Sequence, residues 1–397
     1  MYRILQKLDS RKIFIYFLVI SILSTSFFKI IDKIAAFDNI KYFLFFVTIL
    51  IGIYYLATHK KEWLNIRTYL NIKELLYGLL VIITFFLLSV FYTIKNDVNF
   101  QARTVVELVY IGIPFICAFL AVNIISKDEI INMMKILLVF ALFLYVIEIS
   151  VKDITLSDVR RISLIQSYSP FESYIFADFS LITFCFFAYF KSENQKKEYV
   201  WYYVSFLFVL FTFKRVLVLF AIVIFILEKS NVFYKKIPKY IISIMAILFF
   251  IGTMIYTQLL DKQTTLLLKE IVGIDLDKFT VGRQWYFSLI HNPVFISAGY
   301  GSSTTKLIDI LGPAKYLEMD LVKINIEVGV VGLGIFIWSY WKQIFNNVFS
   351  ICVMFFIFMN MFFSHSLTTF QVWTLTLIML YTVRNSEEKR NMECSCD

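Results

Sequence analysis

The apolar positions of this chain come in blocks, not in alternation. Runs of about 15 to 22 residues, almost free of charge, are separated by short segments that collect Lys, Arg, Asp and Glu. A helix of that length crosses the hydrocarbon of a bilayer and satisfies its own backbone amides, whereas a spanning strand would show a two-residue rhythm. The pattern predicts about twelve spans: 13–31, 42–57, 74–94, 104–125, 131–150, 171–190, 199–213, 215–227, 237–257, 321–341, 348–363 and 367–383. The pair around Lys214-Arg215 is short and reads as two tight spans or one broken hairpin.

The longest polar interruption lies at 258–320, roughly sixty residues, too long for a plain connection and so expected to be functional or partly folded. Inside it Thr280 can cap a helix opening at Val281, which Asn292-Pro293 stops. Trp285 and Leu289, four apart, share one face, as suits a helix lying at a membrane interface. The chain divides into an N-terminal transmembrane bundle (1–257, about nine spans), an extracytoplasmic loop (258–320), C-terminal transmembrane helices (321–383) and a cytoplasmic tail (384–397). The expected fold class is therefore an all-α polytopic integral membrane protein of about 12 transmembrane helices, with one long extracytoplasmic loop containing short interfacial helices.

Composition agrees with the pattern. Of 397 residues 59% are hydrophobic and 17% charged, with a mean hydropathy of +0.75, which excludes a soluble domain. The net charge of +9 reads as the orientation signal of cytoplasmic loops, not as a nucleic-acid footprint. Arg3, Lys7, Arg11 and Lys12 precede the first span; Lys60, Lys61, Arg67 and Lys73 fill the second connection, Lys191, Lys196 and Lys197 the sixth, and Lys229, Lys235, Lys236 and Lys239 the eighth. All fall on the side of the tail, with its Arg384, Lys389 and Arg390, so both termini are expected in the cytoplasm. The first block lacks a small-residue cleavage site behind it and reads as a span, not a signal peptide. Cys117, Cys185 and Cys352 lie in apolar runs and Cys394 and Cys396 in the tail, which is no disulfide framework.

Ionisable groups in or near spans mark candidate chemistry, because lipid makes them costly. Glu107, Glu148, Glu172, Asp178, Lys323, Glu327 and His365 all fall towards the outward ends of their spans. Arg103, Arg160, Arg161, Lys214, Arg215 and Arg283 add positive charge on the same side, a combination that suits an anionic, phosphate-bearing ligand. Plainer readings stand beside these. Lys214-Arg215 also reads as a charged turn, Asp178 as a paired intrabundle residue, Glu107 and Glu172 as interfacial end residues, and His365 as a solvated turn histidine. Gly329 and Gly332 suit close helix packing. Asp275-Leu276-Asp277 has the form of a divalent-ion motif but reads first as a solvated loop, so no metal is expected. Gly299-Tyr300-Gly301-Ser302 reads first as a turn.

Gly282-Arg283-Gln284-Trp285, Asn292-Pro293, Gly299-Tyr300-Gly301-Ser302, and then an acidic residue opening a span that carries Glu327-Val328-Gly329 and Gly332, together resemble the Wzy-type O-antigen and capsule repeat-unit polymerases, a superfamily shared with O-antigen ligases. Lys214-Arg215 between two spans and Arg160-Arg161 ahead of Ser169-Pro170 fit the same resemblance. It departs in one place: the ligase branch often opens the Glu-x-Gly span with histidine-asparagine, where Asp320-Leu321 stands here.

The resemblance implies glycosyl transfer on the outer face of the bacterial cytoplasmic membrane, without metal or cofactor, between undecaprenyl-pyrophosphate-linked oligosaccharides as donor and acceptor. A chain-length regulator and a flippase would be its pathway partners, and nucleic acid has no part. By that reading Arg283 contacts the leaving group, with Arg215, Lys214, Arg161 and Arg160 in support, and Asp320 or Glu327 is the acceptor base. Gly299, Gly301, Asp178 and His365 complete the substrate site. The alternatives are a lipid-linked oligosaccharide flippase, an O-antigen ligase, or a scaffold subunit of a polysaccharide assembly complex.

Overall fold

The computed structural model describes residues 10–31, 38–59, 70–152, 154–160, 162, 169–173, 175–191, 199–212, 214–230, 232–273, 280, 282–291, 295–312 and 315–393. Among them the apolar blocks form helices α1 (Ser10–Ile31), α2 (Asp38–His59), α3 (Ile72–Lys95), α4 (Ala102–Ile124) and α5 (Lys127–Val151), then, after the short α6 (Leu156–Arg160), α7 (Ala177–Phe190), α8 (Tyr199–Phe211), α9 (Arg215–Lys229) and α10 (Lys239–Leu259). The 258–320 stretch carries α11 (Lys262–Val272), α12 (Arg283–His291) and α13 (Ser302–Leu311), and the chain ends in α14 (Asp320–Trp341), α15 (Val348–Phe363) and α16 (Phe370–Glu393). Among the described residues the only strand-like pairing is one bridge between Lys236 and Asn347. Among the described residues seven helices, α1 to α5, α10 and α14, are long and apolar enough to cross a membrane, and α7, α8 and α15 are apolar but shorter. The protein is an all-α membrane protein.

Local sequence chemistry explains the helix ends. Ser126 and Glu129 form a capping box at the start of α5. Thr280 accepts from the Gln284 amide at 3.1 Å, the cap expected at the start of α12. Asn292-Pro293, expected to stop that helix, lies outside the described residues. α11 and α13 are short and only partly apolar, so no hydrophobic block announced them. α11 opens on Asp261, whose carboxylate accepts from the Gln263 amide at 3.2 Å, and closes at Gly273 in the left-handed region.

α4 is the hub. It packs on α2, α3 and α16, while α14 runs between α3 and α10 with α15 alongside. Inside α14, Gly329 has φ +72° and ψ −176°, so the helix is two half-helices joined by one residue in a positive-φ conformation that favours glycine. The Tyr92 hydroxyl of α3 lies 2.6 Å from where a Cβ on Gly329 would sit, which leaves no room for a side chain there.

At the end of the bundle opposite the start of α14, ion pairs join the helices. Arg11 of α1 meets Glu129 of α5, and Arg384 of α16 meets Glu74 of α3. The Lys191 ammonium lies 2.9 Å from Glu228, and the Tyr202 ring lies 4.2 Å from the same ammonium, with the Lys191 side chain 4% and the Glu228 side chain 12% exposed. Breaking a buried pair leaves a stranded charge, so Lys191→Met is expected to cost about 3 to 5 kcal/mol of stability. Lys191→Met with Glu228→Gln should recover most of that loss in thermal unfolding of the detergent-solubilised protein.

Candidate functional site

The buried charges collect where α4 and α14 meet. Lys323 Nζ lies 2.9 Å from Glu107 Oε1, and each side chain is only 1% exposed. Arg103, one turn before Glu107 on α4, donates Nε to the same oxygen at 3.0 Å, and Thr304 of α13 donates its hydroxyl at 3.4 Å. Glu107 Oε2 is buried without a hydrogen-bond partner among the described residues. Glu107, read from the sequence as an interfacial end residue, is therefore an interior residue bridging two cations from two helices. A lone carboxylate could not be held there; two flanking cations make its burial tenable.

Glu327, one helical turn below Lys323, has a different partner. Its Oε2 accepts from the Gly301 amide at 2.8 Å, and its Oε1 from the Ser303 amide at 2.8 Å and the Ser303 hydroxyl at 2.6 Å. The carboxylate thus caps the start of α13 from a distance, satisfying amides that a helix N-terminus leaves open. Gly299 and Gly301, with φ +96° and +95°, make the turn that aims those amides. Tyr300 between them donates its backbone amide to the Ser89 hydroxyl of α3 at 2.9 Å, and its ring lies 5.3 Å from the Lys323 ammonium. Burial pushes the Tyr300 phenol well above its usual range.

Asp320 opens α14 in full burial. His365 Nδ1 lies 2.6 Å from Asp320 Oδ1, while Oδ2 accepts from the Leu367 amide at 2.8 Å and the Ser366 hydroxyl at 3.2 Å. The Tyr316 ring stacks on the imidazole at 5.1 Å between centroids, and the Arg103 guanidinium lies over the other side of the site, 5.7 Å from the Tyr316 ring. His365 Nε2 is buried with no partner among the described residues. A histidine oriented through one nitrogen, with the other left for a reacting group, is the arrangement of a general base and its positioning carboxylate.

A second charged group stands apart. Lys214 Nζ lies 3.3 Å from Asp178 at the start of α7, and Lys152 reaches Glu148 at 3.0 Å and the Glu172 carbonyl at 2.8 Å. Burial raises the Glu172 carboxyl above its usual range against the pull of Lys214, Arg215 and Lys152. A cavity of about 20 Å³, mostly apolar but touched by both Asp178 and Ser366, lies between this group and the Asp320–His365 pair.

The sequence candidates therefore divide between places. Asp320, His365, Glu327, Gly299 and Gly301 share the α14 site. Lys214, Arg215 and Asp178 belong to the second group. Arg160 is exposed on α6, and Arg161, Asp275 and Asp277 lie outside the described residues. Arg283 pairs with Glu318 at 3.2 Å, two residues before Asp320, and donates to the Thr280 carbonyl at 2.9 Å. His365 is held by Asp320 and is not a solvated turn residue. Arg103, Glu107 and Lys323, visible in the sequence as charges beside or within apolar blocks but given no role by the resemblance, also belong to the α14 site. Set against family models, curated proteins and solved structures, the chain has no match.

A Cβ on Gly299 would sit 2.6 Å from the Ser89 backbone, whereas one on Gly282 (φ +83°) meets nothing within 4 Å among the described residues. Gly299→Ala is thus expected to cost about 2 to 5 kcal/mol, the sum of left-handed strain and overpacking, and Gly282→Ala only about 1 to 2. Thermal unfolding of both variants checks the order.

Proposed function

We propose that this protein joins polyprenyl-pyrophosphate-linked oligosaccharides, as a Wzy-type repeat-unit polymerase does, with His365 as the base that activates the acceptor hydroxyl. The observation that carries the reading is the Asp320–His365 pair: Nδ1 engaged at 2.6 Å, Nε2 unpartnered among the described residues, and Arg103 alongside. In the reaction the acceptor oxygen attacks the anomeric carbon as its proton passes to Nε2. The bond from that carbon to the pyrophosphate breaks, and the pyrophosphate leaves with the electron pair. Asp320, one of the two carboxylates that the resemblance offers as base, becomes the group that orients it. Glu327 becomes a positioning residue through α13.

The lipid carrier also has a place. A groove of about 440 Å³, almost wholly apolar, opens sideways between α2, α3 and α4 and runs along α4 from Val105 to Ile116. That is roughly 16 Å of helix, about half the hydrocarbon thickness. Its upper end lies beside Tyr42 and Tyr110, whose hydroxyls are 2.6 Å apart, with the Arg103 guanidinium 5.9 Å from the Tyr110 ring. A polyprenyl tail fits the groove with its pyrophosphate towards Arg103. In this reading about twelve helices cross the bacterial inner membrane, both termini are cytoplasmic, and the 258–320 segment faces outward. No metal or cofactor takes part, and a chain-length regulator and a flippase act beside the enzyme.

A flippase for the same lipids is the second reading, favoured by the break at Gly329. Transporters use such discontinuous spans at their binding sites.

One experiment separates the two. Protein reconstituted in liposomes receives undecaprenyl-pyrophosphate repeat units, and products are sized on a gel. A ladder is the expected result; lipid movement without lengthening is the flippase outcome. His365→Ala and Asp320→Asn are each expected to slow joining by about 10² to 10⁴-fold, and Arg283→Ala to abolish the ladder with the protein still in the membrane. A ladder of normal rate from His365→Ala removes the base from this mechanism.

A further inference from the structure

α13 has two working faces. Ser303 and Thr304 turn towards Glu327 and Glu107, while Ser302, Thr305, Lys306 and Asp309, at helical spacing, line a groove of about 330 Å³ on the other side. The facing wall is the turn between α3 and α4, which contributes Asn99, Phe100 and Gln101; Phe295 and Ala298 also line the groove. Both walls are pinned. Asn96 donates to the Ser297 carbonyl at 2.7 Å, and the Thr305 hydroxyl donates to Gln101 Oε1 at 2.9 Å. The groove therefore stands preformed, within the range of about 300 to 1,000 Å³ usual for small-molecule sites.

Its lining differs from that of the lateral apolar groove. Amide, hydroxyl and carboxylate groups alternate with aromatic rings: Phe100 is 43% exposed, and the Phe295 ring lies 5.8 Å from the Lys306 ammonium. Lys306 already donates to the Ile290 carbonyl at 2.7 Å, and Asp309 matches its charge, so the groove has no net pull on a phosphate. Ser302 is 3% exposed, yet its hydroxyl has no partner among the described residues. A buried hydroxyl without a partner at the edge of a groove calls for a ligand that exchanges hydrogen bonds.

We propose that this groove binds sugar units of a glycan, with the apolar faces of the rings on Phe100 and Phe295 and their hydroxyls on Asn99, Ser302 and Asp309. The proposal rests on the polymerase reading for the source of the glycan. It assigns a site on the face of α13 turned away from Glu327 and Glu107, where sugar units beyond the one that reacts are retained between additions.

The test is direct binding to the full-length protein in nanodiscs. The probe is the repeat-unit oligosaccharide of the host cell, freed from its lipid by mild acid and labelled at its reducing end, and fluorescence anisotropy is the readout. Wild-type protein is expected to bind it, Phe100→Ala and Asp309→Ala to bind at least about tenfold more weakly, and His365→Ala to bind like wild type. The two groove positions are at the surface, so elution as a single species in gel filtration verifies that they fold. No binding by wild type overturns the proposal, as does wild-type affinity in both groove variants. A loss in His365→Ala equal to theirs also overturns it, since it would put the sugar in the reacting pocket. The gel ladder of the liposome assay judges the polymerase reading separately.

Discussion

The contact between Glu107 and Lys323 governs how the interior of this protein is arranged. Both groups are withdrawn from solvent in a bundle whose surroundings are apolar, so each makes the other's position tenable. The contact ties α14 to α4 between Asp320 at the start of α14 and Glu327 one turn beyond Lys323. Asp320 then meets His365, and Glu327 meets the opening amides of α13. This ion pair, the Asp320–His365 contact and the Glu327 bonds together tie α4, α14, α13 and the turn before α16.

Glycine supplies the close approaches that this arrangement needs. Gly299 lets the turn before α13 rest against Ser89, and Gly329 lets Tyr92 reach the axis of α14. Charged side chains occupy the half of α14 before the break, and the half after it is almost wholly apolar. The break therefore coincides with a change in work, from holding polar groups to filling the core between α3, α10 and α15.

The helical blocks were legible because a long apolar run has one economical solution in lipid, and Thr280 was legible as a cap because its spacing from Gln284 is local. Pairing was not. Asp320 and His365 were each visible as polar residues at the ends of apolar blocks, but 45 residues separate them, and no periodicity joins positions across two helices. Glu327 drew notice as a carboxylate in a span and was read as a candidate base. Its three hydrogen bonds to the start of α13 could not be foreseen without that helix, which carries too few apolar residues to declare itself. Arg283 stood out beside a glycine turn, whereas its partner Glu318 is an ordinary acidic residue in a polar stretch.

The order in which the chain is made gives Arg103 a further part to play. α4 leaves the ribosome long before α14, so Glu107 would enter the membrane as a solitary anion with Lys323 not yet synthesised. Arg103 lies one turn away on the same helix, 3.0 Å from that carboxylate, and can neutralise it as soon as the turn winds.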